Sequence, residues 1–99
     1  MIKYLNSEFE KEVSNKKVLI DFYADWCGPC KMFSEVLENV QDKIKIDIIK
    51  VNVDTFPDLA SKYNVFSIPT ILLLDNLNVL KTHTGYLNPN ELIEFINKK

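Results

Sequence analysis

Cys27 and Cys30 are the chain's only cysteines, and the run that holds them, Ala24-Asp25-Trp26-Cys27-Gly28-Pro29-Cys30-Lys31, follows directly on the apolar stretch Val18-Leu19-Ile20-Asp21-Phe22-Tyr23. An apolar run of this length reads as a buried strand. Met32-Phe33-Ser34-Glu35-Val36-Leu37 behind the cysteines opens a helical period, so Cys27 is predicted at a strand-to-helix turn. A thiol there faces the unpaired N–H groups of the helix's first turn. Those groups and the helix dipole favour the thiolate, the form that attacks disulfides or binds metals. Side chains three apart on a helix are neighbours, and a disulfide needs Cα atoms roughly 4.4 to 6.8 Å apart, so the two sulfurs can bridge with little backbone movement. Closing so short a loop restricts the unfolded chain little, which makes the bridge a poor staple and a better candidate for cycling between states. Gly28 permits unusual backbone angles and close approach by another chain, while Pro29 fixes φ and omits an N–H in the first turn.

The rest of the chain alternates strand and helix patterns without repeats, low-complexity sequence or a Gly/Ser/Pro-rich linker. Residues 2–5 read as a short first strand. Ser7 with Glu10 forms a capping-box pattern, Phe9 and Val13 give the helix behind it an apolar face, and Asn15 ends it. A strand is expected over 18–24 and a helix over 27–41, with Phe33, Val36, Leu37 and Val40 at i, i+3, i+4, i+7 and Lys31, Glu35 and Glu38 outward. A third strand is read over 44–53. Asp54 or Thr55 is placed as cap of a short helix starting near Pro57 and carrying Leu59, Ala60 and Tyr63, with Asn64 in the left-handed closing position. Strands over 70–74 and 79–84 flank a turn at 76–78, and Asn88-Pro89-Asn90-Glu91 starts a last helix bearing Leu92, Phe95 and Ile96. The pattern alone supports a three-layer α/β domain.

Ninety-nine residues, 46% of them hydrophobic and eleven aromatic, suffice for one core spanning 1–99 but not for two. The net charge of −2 and the absence of any Lys block longer than Lys16-Lys17 or Lys98-Lys99 argue against nucleic acid as a partner. No apolar run approaches the ~20 residues of a membrane span, and the first residues lack the apolar core of a signal peptide, so a cytoplasmic protein is expected. In that compartment thiols stay reduced, and an isolated Cys-x-x-Cys is catalytic or metal-binding more often than structural. His83 would bring the conventional N/S ligands to only three, short of a closed four-ligand zinc site within one chain, so no metal site is expected and His83 reads as a polar strand residue.

Residues 21–32, Asp-Phe-Tyr-Ala-Asp-Trp-Cys-Gly-Pro-Cys-Lys-Met, resemble the active-site signature of the thioredoxin family. The resemblance continues through Lys50-Val51-Asn52-Val53-Asp54, Lys62-Tyr63-Asn64-Val65, Ser67-Ile68-Pro69-Thr70-Ile71-Leu72-Leu73-Leu74 and Gly85, in the family's order and spacing over nearly the whole chain. It implies a thioredoxin fold: a central mixed sheet of about five strands and about four helices, with a parallel βαβ half and an antiparallel ββα half. From the residues alone, Asp21 is either a desolvated acid able to hold a proton near neutral pH or a residue that faces water at a strand edge or caps a neighbouring element. The resemblance makes it the base that deprotonates Cys30 and makes Lys50 its modulator, where an ordinary strand lysine would snorkel to solvent. It also implies a cis Ile68–Pro69 bond against the dithiol, contrary to the base rate for X–Pro bonds, and a docking surface onto which an extended substrate adds as a strand. The matching surface residues are Trp26, Gly28, Pro29, Val53, Ser67, Ile68, Pro69, Thr84, Gly85 and Tyr86, although Val53 and Ile68 also read as plain core.

Four departures stand out. Glu35 replaces the helix-kinking proline of many thioredoxins, which predicts a straighter and more stable helix and leaves the redox poise open to a shift. Leu77 and Asn64 replace turn glycines, and Ser67 replaces the glycine two before the cis proline, on the docking surface. The expectation is a protein-disulfide reductant without a cofactor of its own, monomeric, re-reduced by a thioredoxin reductase-like flavoprotein and acting on disulfide-containing client proteins. Its rivals are an oxidant or isomerase on the same fold, and a non-catalytic binding subunit that uses the docking surface.

Overall fold

The computed structural model describes residues 1–98. Strand β2 (Lys17–Tyr23) is the middle of a five-stranded sheet and fixes everything around it. On one side it runs parallel to β3 (Asp47–Asn52), which in turn pairs in parallel with the edge strand β1 (Ile2–Tyr4). On the other side it runs antiparallel to β4 (Thr70–Asp75), which carries the second edge strand β5 (Asn78–Thr84). Val18 to Phe22 are all fully buried, a run without polar alternation, because helices cover both faces of a central strand.

The alternation of side chains along each strand then sorts two cores. Val18, Ile20 and Phe22 pack with Ile49, Val51, Leu72 and Leu74 and with Phe9 and Val13 of α1 (Phe9–Val13). Leu59 and Ala60 of α3 (Pro57–Lys62) complete that layer. Leu19 packs on the opposite face with Ile48, Ile71 and Leu73. This face is covered by Phe33, Leu37 and Val40 of α2 (Gly28–Val40) and by Leu92 and Ile96 of α4 (Pro89–Asn97). Asp21 lies two residues from Leu19 and Lys50 two from Ile48, so strand geometry puts both charges on the face that α2 covers, in register with each other.

The ends of the elements correct three expectations. Ser7 and Glu10 form no capping box: α1 begins at Phe9, one residue too late for Ser7 to cap it, and the Ser7 hydroxyl bonds Asn6 instead, at 3.3 Å. Neither Asp54 nor Thr55 caps α3; Phe56 occupies that position and Pro57 starts the helix. The third strand begins at Asp47 rather than 44, after a 3₁₀ turn at Gln41–Lys43. The Asp47 carboxylate draws in the Met1 ammonium at 3.8 Å, Lys3 at 4.0 Å and Lys16 at 3.2 Å, which ties the start of β3 to β1 and β2. Elsewhere the local chemistry acts as read. Asn88 and Glu91 form the reciprocal capping box of α4, and Asn15 and Asn64 take φ of 61° and 57° behind their helices. Asn76 and Leu77 both adopt left-handed angles (φ 46° and 71°), which closes the two-residue β4–β5 turn with the twist the strands require. No described helix is long and apolar enough to cross a membrane.

Candidate active site

Cys27 is the N-cap of α2, with extended backbone angles (φ −88°, ψ 111°), because the chain must leave β2 before it can coil. Its sulfur takes the place that a capping oxygen fills in most helices and accepts the backbone N–H of Cys30 at 3.2 Å. The two cysteines are joined as a disulfide, with Cα atoms 5.2 Å apart. Both are buried, Cys27 to 5% and Cys30 to 3% exposure, against Ala24, Tyr23, Val53 and Ile68. When this bond opens, an anionic Cys27 sulfur meets the helix's free N–H groups, which stabilise it. Gly28 opens the helix itself with no left-handed angle, so the expected unusual backbone is not needed there; a Cβ at Gly28 would meet nothing within 4 Å. Pro29 stands in the first turn, where its missing N–H costs nothing.

Across from the sulfurs lies the segment before β4. The Ile68–Pro69 bond is cis, and the Ile68 carbonyl oxygen sits 3.9 Å from Cys27 Sγ. Thr70 Oγ1 donates to the Ser67 carbonyl at 2.6 Å, and the Gly85 N–H donates to the Pro69 carbonyl at 2.8 Å. Gly85 has φ 105°, a conformation that requires glycine. Thr84 lies beside Thr70, its hydroxyl 3.3 Å from Thr70 Oγ1, whereas Tyr86 packs edge-on to Phe33 of the core, with ring centroids 6.4 Å apart. Trp26 is 71% exposed and is fixed in place by its indole N–H, which donates to Asp54 Oδ2 at 2.9 Å. A groove of about 380 Å³ runs from Trp26 past Val53 to Val65, Phe66, Ser67 and Ile68. Val53 and Ile68 serve both as groove wall and as partners of the core. Phe66, 89% exposed, is the largest addition to this wall that the sequence reading lacked. Its adjacency to Ser67 was the available signal.

Behind Cys30 the face shared by β2, β3 and α2 holds a charge pair. Asp21 is fully buried, and Lys50 Nζ approaches its Oδ2 to 3.1 Å while donating a hydrogen bond to Ser34 Oγ at 3.0 Å. The 3.1 Å approach is an ion-pair contact: neither Asp21 oxygen accepts a directed hydrogen bond. Burial pushes the Asp21 carboxyl above the usual carboxylate range, and the Lys50 charge offsets that only in part. Lys50 is 3% exposed and also faces the rings of Tyr23 at 4.7 Å and Tyr4 at 5.7 Å, so it does not snorkel to solvent. A cleft of about 180 Å³, lined by Cys30, Ser34, Lys50 and Tyr23 among others, reaches Lys50, and Asp21 lies buried behind it. Ser34, Tyr4, Tyr23 and Asp54 are site neighbours that the sequence reading missed. His83 lies on β5 with its ring 6.2 Å from Phe95, and among the described residues no group of three or more His, Cys, Asp or Glu gathers as metal ligands.

A sulfur that caps a helix, bonded to a second sulfur one turn on, defines a thiol–disulfide oxidoreductase. The Thioredoxin family model matches residues 1–98. The chain is 41% identical over 100 residues to thioredoxin of Bacillus subtilis (99% of this chain, 96% of the relative). It is 40% identical over 97 residues to thioredoxin of Rickettsia felis (94% of this chain, 92% of the relative). The crystal structure of reduced Schistosoma mansoni thioredoxin pre-protein superposes with a TM-score of 0.86 at 27% identity, over 98% of this chain and 96% of that one. The chain belongs to the thioredoxin family, and its Cys27–Cys30 couple is that of a disulfide reductant.

Proposed function

We propose that residues 1–99 form one thioredoxin domain that reduces protein disulfides in the cytoplasm as a monomer, with no cofactor of its own. The observation that carries the assignment of roles is the Cys30 N–H on Cys27 Sγ, which gives the first sulfur the helix terminus and leaves the second one turn inward. Cys27 thiolate attacks one sulfur of a client disulfide, the client's other sulfur leaves and takes a proton, and a Cys27–client mixed disulfide remains. Cys30 then gives its proton to Asp21, attacks Cys27 Sγ and forms the Cys27–Cys30 bond as the client's second sulfur departs and is protonated. Two electrons pass from the dithiol to the client. A flavoprotein reductase drawing on a nicotinamide cofactor returns them.

Gly28 and Pro29 shape the redox turn, and Lys50 modulates Asp21. Trp26, Val53, Ser67, Ile68, Pro69, Thr84, Gly85 and Tyr86 form the face on which a client strand docks, its backbone pairing at Ile68. The open space above Gly28 supports close approach by such a strand.

The unequal roles of the sulfurs supply the test. Cys30→Ser should capture clients as mixed disulfides that persist until an external thiol is added, whereas Cys27→Ser should capture none, as read on non-reducing gels. Equal trapping by both variants refutes the assignment of Cys27 as nucleophile. Trapping by neither, with clients still bound by the wild type, would favour the binding-subunit reading.

A further inference from the structure

We propose that Ser34 is a positioning residue for the resolving step: its hydroxyl holds one N–H of Lys50 aside and so leaves the Asp21 carboxylate free to take the Cys30 proton. The inference rests on the reading of Asp21 as the base. Ser34 follows Cys30 by four residues on α2, so the two side chains are stacked on one helix face, and both line the 180 Å³ cleft that Lys50 closes from β3.

Lys50 Nζ stands almost equally far from Ser34 Oγ, at 3.0 Å, and from Asp21 Oδ2, at 3.1 Å. The hydrogen bond nevertheless goes to the serine, and both fully buried Asp21 oxygens are left without a directed donor. An ammonium has three N–H groups. With one on Ser34 and the positive charge shared with the faces of Tyr23 and Tyr4, the lysine pairs with Asp21 at 3.1 Å while one of its hydrogens is held off the carboxylate. A carboxylate on which a lysine sets its hydrogens squarely is held in its charged form and is a weak base; a buried one that the lysine meets less squarely keeps more of its affinity for a proton. The other titratable groups lining this cleft are Asp25, from the loop after β2, and Lys31, beside Cys30 on α2.

Removing the hydroxyl leaves a buried ammonium whose remaining acceptor is Asp21, so Lys50 turns its hydrogens onto the carboxylate. The experiment mixes the reduced protein with a saturating synthetic peptide disulfide and follows the first-order resolution phase by tryptophan fluorescence across pH 5 to 9. In Ser34→Ala the acidic limb of the profile should move down by about half a unit to one unit, and the plateau should fall about threefold. Ser34→Thr, which keeps the hydroxyl, should restore both. Asp21→Asn should lose the limb altogether. If Asp21→Asn loses the limb while Ser34→Ala leaves it in place or moves it upward, the positioning role is refuted and the base reading stands. An Asp21→Asn profile identical to the wild type removes the base reading and this inference with it.

Discussion

Asp21 is the residue at which function and stability pull apart. Its folded-state affinity for a proton is raised by burial, and Lys50 reverses only part of that. Between the ordinary carboxyl value and the raised one, the folded chain holds a proton that the unfolded chain has released. Stability therefore falls as pH rises through that window and stays lower above it. Asp21→Asn has no such charge to bury. The difference in Tm, variant minus wild type, should become more positive from pH 4 to pH 8, while the rate of client release falls. Lys50 lacks a charged partner in the variant at every pH, just as it does beside a protonated Asp21, so this cost lowers the variant's curve without changing its slope. Melting curves at several pH values check the expectation; parallel pH dependence in the two proteins would show that Asp21 does not carry a buried charge.

Among the elements, α2 bears the most direct mark of this chain's own sequence. Glu35 is exposed near its middle, and the helix runs unbroken from Gly28 to Val40. Glu35→Pro would restore the family's more common residue, yet here it would remove the ladder bond to the Lys31 carbonyl and press the ring on that oxygen, at a cost of about 3 kcal/mol. Urea unfolding should show a lower midpoint at unchanged slope. A variant as stable as the wild type would mean that α2 accommodates a kink without loss. The helices were legible in the sequence where an apolar stripe marked them, as Phe33, Val36, Leu37 and Val40 do for α2. Their starts were less so. Ser7 has the right chemistry for a cap, but nothing local tells that the chain coils one residue later, at Phe9. Asp54 has the chemistry of a cap beside Pro57, yet its carboxylate accepts the indole N–H of Trp26, a residue 28 positions away. The start of β3 is hidden for a similar reason: 44–46 have strand-like residues, yet the chain bends at 45–46 and pairing with β2 begins only at Asp47.

At the scale of the molecule, the site is assembled from the end of β2, the start of α2, the loop after β3, the cis-proline segment and the end of β5. Periodicity can place each of these in an element, but it cannot say that Ile68 comes to rest against Cys27 or that Gly85 bonds Pro69. The family resemblance supplied those meetings. It could not supply Ser34 or Phe66, which belong to this sequence, and whose importance shows only once Lys50 and the groove are in view. With a capping thiolate and Gly-Pro between the sulfurs, equilibration with a glutathione buffer should give a reduction potential near the −270 mV that is the family's own figure rather than a product of this geometry. A potential above about −200 mV would refute the reductant assignment, since the cytosolic pool would then be too reducing to accept its electrons.

The burial of the two sulfurs has a consequence for traffic. At 5% and 3% exposure, the couple is insulated much as a wire is sheathed. A small thiol or oxidant arriving at random finds little sulfur to strike, whereas a chain docked in the groove between Trp26 and Ile68, as proposed, would bring its own disulfide to the contact point. Burial thus makes the couple's exchange depend on what docks beside it more than on what diffuses past.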